Sequence, residues 1–213
     1  MKKIHSIIFD LDGTLTNTLP LSLAGSKETI RHISGKVLDN EDIYKHFGKT
    51  EDSLFQDCLG SKWEEGVRFY ARYFEERADK EIVFPGIFDA LEFLKTHDVK
   101  TALVTGRGAS STEVILRKTG LGSYFETVKT GSILKSIKTQ CIEEVLSSWR
   151  MSTSHVFYIG DAATDIDDAK AAGVTALSAA WFVNADKDAQ AARKPFKIFD
   201  TVAEFYGWLK NNV

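Results

Sequence analysis

The chain has 213 residues, 43% of them hydrophobic and 27% charged, and its 27 basic and 30 acidic side chains leave a net charge of −3. This is the composition of a globular chain long enough to bury a full core, as one domain or as a core carrying an insertion. Lys and Arg are dispersed along it, which excludes a basic footprint for nucleic acid and leaves any substrate electrostatics local.

The start, Met1-Lys2-Lys3, is charged, and the apolar run of residues 4–9 is soon broken by Asp10 and Asp12. That pattern fits a strand buried on both faces, and neither a signal peptide nor a membrane span, so a cytoplasmic protein with no membrane partner is expected. Cys58 and Cys141 lie far apart without metal spacing and read as reduced thiols. Residues 20–33 read as a helix, with Pro20 near its start and Gly35 as its stop. From there to Val83 nothing alternates like a strand. Short helical pieces are predicted at 41–47 and 50–59, then a longer one from 62 to about 79. In that helix Trp63, Val67, Tyr70 and Phe74 recur at helical spacing and read as the buried face of a small helical subdomain.

Pro85-Gly86 marks the return to the main body, and an α/β alternation follows. Helix 87–96 leads to strand 101–104, and helix 111–119, closed by Gly120, to a weak strand at 127–129. Helix 139–149 has Ile142, Val145, Leu146 and Trp149 inward and leads to strand 156–159. A helix ending at Ala172 and Gly173 precedes strand 174–177. Strand 197–199 and a helix over 202–209, with Asp200 as N-cap, complete the chain. Strands alternating with helices predict a doubly wound parallel sheet.

The chemistry is concentrated at predicted strand ends. Phe9-Asp10-Leu11-Asp12-Gly13-Thr14 delivers two carboxylates where the first strand runs out, the place where open α/β sheets bind ligands. An acidic Asp-Gly turn is the plainer reading of the same residues. Thr105-Gly106 ends another strand, where a hydroxyl and a closely approaching backbone can hold a phosphoryl oxygen, or simply turn the chain. Lys135 and Lys138 both precede the helix whose inward face begins at Ile142. In Gly160-Asp161-Ala162-Ala163-Thr164-Asp165, Asp161 ends a strand and Asp165 begins a helix, whereas Asp167 and Asp168 read as ordinary capping residues. Asp161 would converge with Asp10 and Asp12. Gathered carboxylates are costly without a hard cation between them, so the cluster itself predicts Mg²⁺.

Phe9-Asp10-Leu11-Asp12-Gly13-Thr14, Thr105, the lysine and Gly160-Asp161…Asp165 occur together in the order of the four motifs of the haloacid dehalogenase superfamily, which this chain resembles. The lysine motif lacks the prolines often found in that family. Lys138 fits its proline-free Lys-x-x-x-apolar form, and Lys135 is read as a surface lysine. The resemblance implies a Rossmann-like core (1–16 and 84–213) with an inserted α-helical cap (17–83), as in phosphoglycolate phosphatase-like and β-phosphoglucomutase-like members. It implies Asp10 as nucleophile forming a phospho-aspartate and Asp12 as acid and then base. Thr105, Gly106 and Lys138 would bind phosphate. Asp10, Asp161 and the Asp12 carbonyl would hold Mg²⁺, with Asp165 supporting them or Lys138. The expected activity is hydrolysis of a small phosphorylated metabolite by a monomer or homodimer. A phosphomutase is the alternative, and a phospho-accepting receiver domain is disfavoured by the first motif and the insertion. His46, Lys49 and Arg107 are left between substrate contacts and solvated surface residues.

Overall fold

The computed structural model describes residues 3–213; Met1 and Lys2, half of the charged start, lie outside the described residues. Six parallel strands form one sheet: β1 (Ser6–Phe9), β2 (Lys100–Val104), β3 (Thr127–Lys129), β4 (Val156–Gly160), β5 (Thr175–Ala179) and β6 (Lys197–Phe199), in the order β3-β2-β1-β4-β5-β6. β1 is flanked by β2 and β4, with Phe9 level with Leu103 on one side and Ile159 on the other. The order reverses at β1, so the carboxyl ends of β1 and β4 diverge into a crevice.

The helices follow the chain as α1 (Leu19–Ser34), α2 (Asn40–Tyr44), α3 (Glu51–Leu59), α4 (Trp63–Arg77), α5 (Ile87–Thr96), α6 (Ala109–Thr119), α7 (Lys138–Trp149), α8 (Ala163–Ala171), α9 (Lys187–Ala192) and α10 (Val202–Leu209). All strands and most helices fall where the hydrophobic periodicity puts them. Gly35 and Gly120 end α1 and α6 in the left-handed region, at φ 73° and 81°, a conformation glycine adopts without a Cβ clash. Two details differ. α9 has no amphipathic run to announce it, and the N-cap of α10 is Thr201, whose side chain accepts from the Glu204 N–H. Asp200 instead pairs with Lys187 at the surface.

Alternate residues of each strand feed the two faces of the sheet. Ile8, Ala102, Val104 and Tyr158 pack with Ile142, Val145 and Trp149 of α7 and Ile166 of α8. Ile7, Phe9, Leu103 and Ile159 pack with Ile87, Leu91 and Leu94 of α5 and Phe205 of α10. The second cluster continues without a break into α3 and α4 through Leu54, Phe55, Tyr70 and Phe74. Trp63 and Val67 complete the α4 stripe as partly buried neighbours. α1–α4, inserted between β1 and β2, therefore join the core by apolar contact, α4 packing against α6, and they line the cleft at the carboxyl ends of the strands. No helix of the described residues is long and apolar enough to cross a membrane, and both cysteines are free.

Candidate active site

Asp10 follows the last residue of β1 and its amide donates to the Ile159 carbonyl of β4 at 2.9 Å, which pins the nucleophile candidate to the crevice. The chain then turns at Gly13 (φ 75°), where a Cβ would overlap the Asp161 carboxylate. Glycine is therefore required twice over: for the left-handed backbone and for the approach of the loop after β1 to the loop after β4. Trp181 closes this loop from outside by donating its indole N–H to the Thr14 carbonyl at 3.0 Å.

Lys138 is the first residue of α7, one position later than a residue preceding the helix. Its ammonium donates to Asp10 Oδ1 at 3.2 Å and to Asp165 Oδ1. Asp165 is buried and both its oxygens are engaged: Oδ1 also accepts from the Tyr158 hydroxyl, and Oδ2 from the Ala162 N–H at 2.9 Å. Burial works against the charged ammonium, but Asp10 and Asp165 outweigh it and hold Lys138 well above its usual pKa. Lys135 is exposed, as read. Thr105 follows β2, is buried beside the same cleft, and accepts from the Arg107 N–H at 3.1 Å.

Asp10, Asp161 and Asp165 each bring a carboxylate oxygen within 4.8 Å of the other two. Burial pushes the Asp10 carboxyl up to about 7; Lys138 pulls it down while Asp165 and Asp12 push it further up. Burial, then Asp10 and Asp165, also raise Asp161 well above the carboxylate range. The cluster thus holds more negative charge than Lys138 alone offsets. Oxygen donors short of positive charge fit a hard divalent cation. Gln190, buried on α9, fixes the Asp161 loop by donating to the Asp161 carbonyl and, at 3.1 Å, to the Ala179 carbonyl.

The Asp12 side chain turns away from this cluster. Its Oδ1 accepts from Thr18 Oγ1, and both oxygens face the Arg107 guanidinium, at 2.8 Å for Oδ1 to Nη2 and 3.0 Å for Oδ2 to Nε. Burial raises the Asp12 pKa, but the guanidinium outweighs that and the carboxyl lies below its ordinary value. Arg107 is not a solvated arginine: it is 7% exposed and its guanidinium lies over the Phe74 ring of α4. Asp168 donates no cap; it accepts from Thr139 at 2.6 Å, joining α7 and α8, and Asp167 pairs with Arg193.

The cleft over these residues measures about 470 Å³. Its roof is the insertion, through Ile43, Phe47, Leu54 and Tyr70, and His46 and Lys49 stand on its lining. Lys49 is exposed, while His46 faces Asp57 at 3.6 Å. Sequence reasoning missed Ser22, Glu51 and Gln190. Each is an ordinary polar residue of a helix, and only its partner in space marks it out.

The profile of the haloacid dehalogenase-like hydrolases matches residues 7–179. Phosphoglycolate phosphatase of Chromobacterium violaceum is 28% identical, over 99% of both chains. Pyrophosphatase PpaX of Bacillus velezensis is 26% identical over 85% of this chain and 86% of its own. Among solved structures, CbbY of Rhodobacter sphaeroides, in complex with xylulose bisphosphate, superposes with a TM-score of 0.78 at 18% identity, covering 94% of this chain and 96% of that one. A haloacid dehalogenase-like hydrolase of Streptococcus pneumoniae gives 0.75 at 22% identity, over 98% and 99%.

Proposed function

The chain belongs to the haloacid dehalogenase-like hydrolase family, and from that premise we propose that it is a Mg²⁺-dependent phosphatase of a small phosphorylated metabolite, working through a phospho-aspartate on Asp10. The observation that carries this reading is the ammonium of Lys138 held between Asp10 and Asp165 at the carboxyl ends of β1 and β4. An anionic nucleophile and an anionic substrate meet only where fixed positive charge screens them. In this reading the core is 1–16 and 84–213, the helices of 17–83 are a cap, and the protein is cytoplasmic, as its two free thiols favour.

Asp10 attacks phosphorus in line, and the bond from phosphorus to the leaving oxygen breaks as Asp12, a carboxylate beside Arg107 in the free protein that takes up the proton of the monoanionic substrate, passes it to that oxygen. The products are an alcohol and phospho-Asp10. Asp12, now a carboxylate, takes a proton from water as the water attacks phosphorus, and Asp10 is restored as phosphate leaves. Thr105 and the Gly106 N–H hold a phosphoryl oxygen, and Lys138 offsets the charge that builds on the others. Asp165 and the Tyr158 hydroxyl keep Lys138 in place. Asp10, Asp161 and the Asp12 carbonyl would hold Mg²⁺, which supplies further positive charge to the phosphoryl oxygens.

Turnover of p-nitrophenyl phosphate and of a panel of phosphorylated metabolites, with Mg²⁺ and with excess chelator, tests the proposal. Hydrolysis that disappears in chelator and returns with Mg²⁺ is expected. Full activity in chelator contradicts the metal assignment, and a requirement for a bisphosphate activator contradicts the phosphatase in favour of a mutase.

A further inference from the structure

Gln190 is a buried amide without a task in the proposed chemistry. Its side chain is wholly inside the protein, and its Oε1 has no partner among the described residues, a cost that an apolar side chain in the same space would not incur. Both hydrogens of Nε2 are used: one goes to the Asp161 carbonyl, the other to the Ala179 carbonyl at 3.1 Å. Carbonyls only accept, so the nitrogen end of the amide is the end that must face them. Asp161 follows β4 and Ala179 ends β5, and the register of those strands pairs Gly160 with Ser178. The amide therefore clasps the two chains one residue beyond that pair. α9, which carries it, is tied to α8 by Arg193 and Asp167 at 2.9 Å, so the clasp has a fixed base.

What the Asp161 carboxylate lacks gives the clasp its importance. Lys138 donates to Asp10, and Lys138, Tyr158 and the Ala162 N–H donate to Asp165. Among the described residues, none donates to the Asp161 carboxylate. Its place is set by its backbone and by Gly13, against which it packs where a Cβ would stand. A metal ligand with no hydrogen bond to orient it depends on the backbone that carries it. Contacts that orient ligands in this way typically change metal affinity about 10–100-fold.

We propose that Gln190 is a positioning residue for the metal site: its amide holds the loop after β4 so that the Asp161 carboxylate stays beside that of Asp10, and it thereby sets the affinity for Mg²⁺. The inference rests on the reading of Asp161 as a Mg²⁺ ligand.

The test reads Mg²⁺ affinity without turnover, from the rise of Tm with Mg²⁺ concentration above its value in chelator. Gln190→Met keeps the length of the side chain and loses both donors. It should raise the apparent Kd for Mg²⁺ at least about tenfold, and Asp161→Asn should raise it at least as far. Leu209→Ala is the control, since Leu209 is a buried residue of α10 that does not line the cleft. It should lower Tm in chelator and leave the Kd within about twofold. A smaller rise for Gln190→Met, whatever its Tm in chelator, overturns the positioning role and leaves the metal assignment intact. A rise in Leu209→Ala equal to that in Gln190→Met also overturns it, because lost stability alone then accounts for the effect. If the wild-type protein shows no rise of Tm with Mg²⁺, or Asp161→Asn leaves the Kd unchanged, the metal reading fails and the inference with it. Should Gln190→Met not fold, Gln190→Asn takes its place. It keeps an amide that is one methylene short of spanning both carbonyls, and the same loss of at least about tenfold, or its absence, decides.

Discussion

Two lysines three residues apart, Lys135 and Lys138, give the sharpest contrast at the scale of single side chains. Lys138 is 14% exposed and touches two carboxylates, whereas Lys135 lies on the surface of the loop before α7. A fixed cation facing a transferred phosphoryl group contributes several kcal/mol, so Lys138→Ala should lower kcat/KM by roughly two to three orders of magnitude. A surface lysine contributes little, and Lys135→Ala should change kcat/KM less than about threefold. Steady-state kinetics of the two variants on one substrate checks this; the reverse ranking would move the phosphate-binding role to Lys135. At this scale the placement of Asp10, Thr105, Asp161 and Asp165 was legible in the sequence, because each stands at the end of a buried strand or the start of a helix, whereas Lys138 was separated from Lys135 only by the family's proline-free motif. Arg107 was legible only as a charged residue after Gly106. Its burial depends on Phe74, Tyr70 and Ser22, which come from another part of the chain, and nothing local to residue 107 signals them.

At the scale of elements, α4 and α3 carry the consequences of seating the inserted helices on the core, where α4 packs against α6. Phe74 is fully buried and packs on Tyr70 with ring centroids 4.9 Å apart. Phe74→Ala should cost about 3–5 kcal/mol, measured by denaturant unfolding. Phe47, 57% exposed at the cleft mouth, should cost less than about 0.5 kcal/mol on truncation. Asp52 in the first turn of α3 gives a pH signature. Burial, and then the neighbouring Glu51 carboxylate, push its carboxyl from 3.8 up to about 6. A carboxyl raised on folding binds more protons in the native state, so its contribution favours folding below the unfolded value and is lost as pH rises through about 6. Asp52→Asn should therefore raise Tm above neutral pH, and the gain should disappear as the pH falls to about 4. A gain that stays constant across that range contradicts the shift. The periodic helices were readable because a stripe of three or four apolar residues defines them. α9 was not, since it is six residues long and its buried side chain is the polar Gln190. Asp200 and Thr201 are both good caps by residue type; Thr201 takes the cap, and Asp200 pairs with Lys187 at the surface.

On the scale of the molecule, the alternation of strands and helices predicted a parallel doubly wound sheet, and the strand order places the crevice at β1 and β4. Periodicity alone does not give that order. Nor does it show that α1–α4 share one continuous apolar cluster with the sheet. That continuity sets the roof of the cleft against the acidic floor, and it is the reason the proposed chemistry takes place in a partly closed space. The claim on which the whole account turns is the covalent step at Asp10. Rapid acid quenching during turnover of an activated phosphate donor with Mg²⁺, followed by borohydride reduction and peptide mass spectrometry, reads that step directly. The account predicts reduction of an acyl phosphate at residue 10 alone, absent from the Asp10→Asn variant, which should be folded and inactive. Trapping at another residue, or turnover by Asp10→Asn near the wild-type rate, would contradict it.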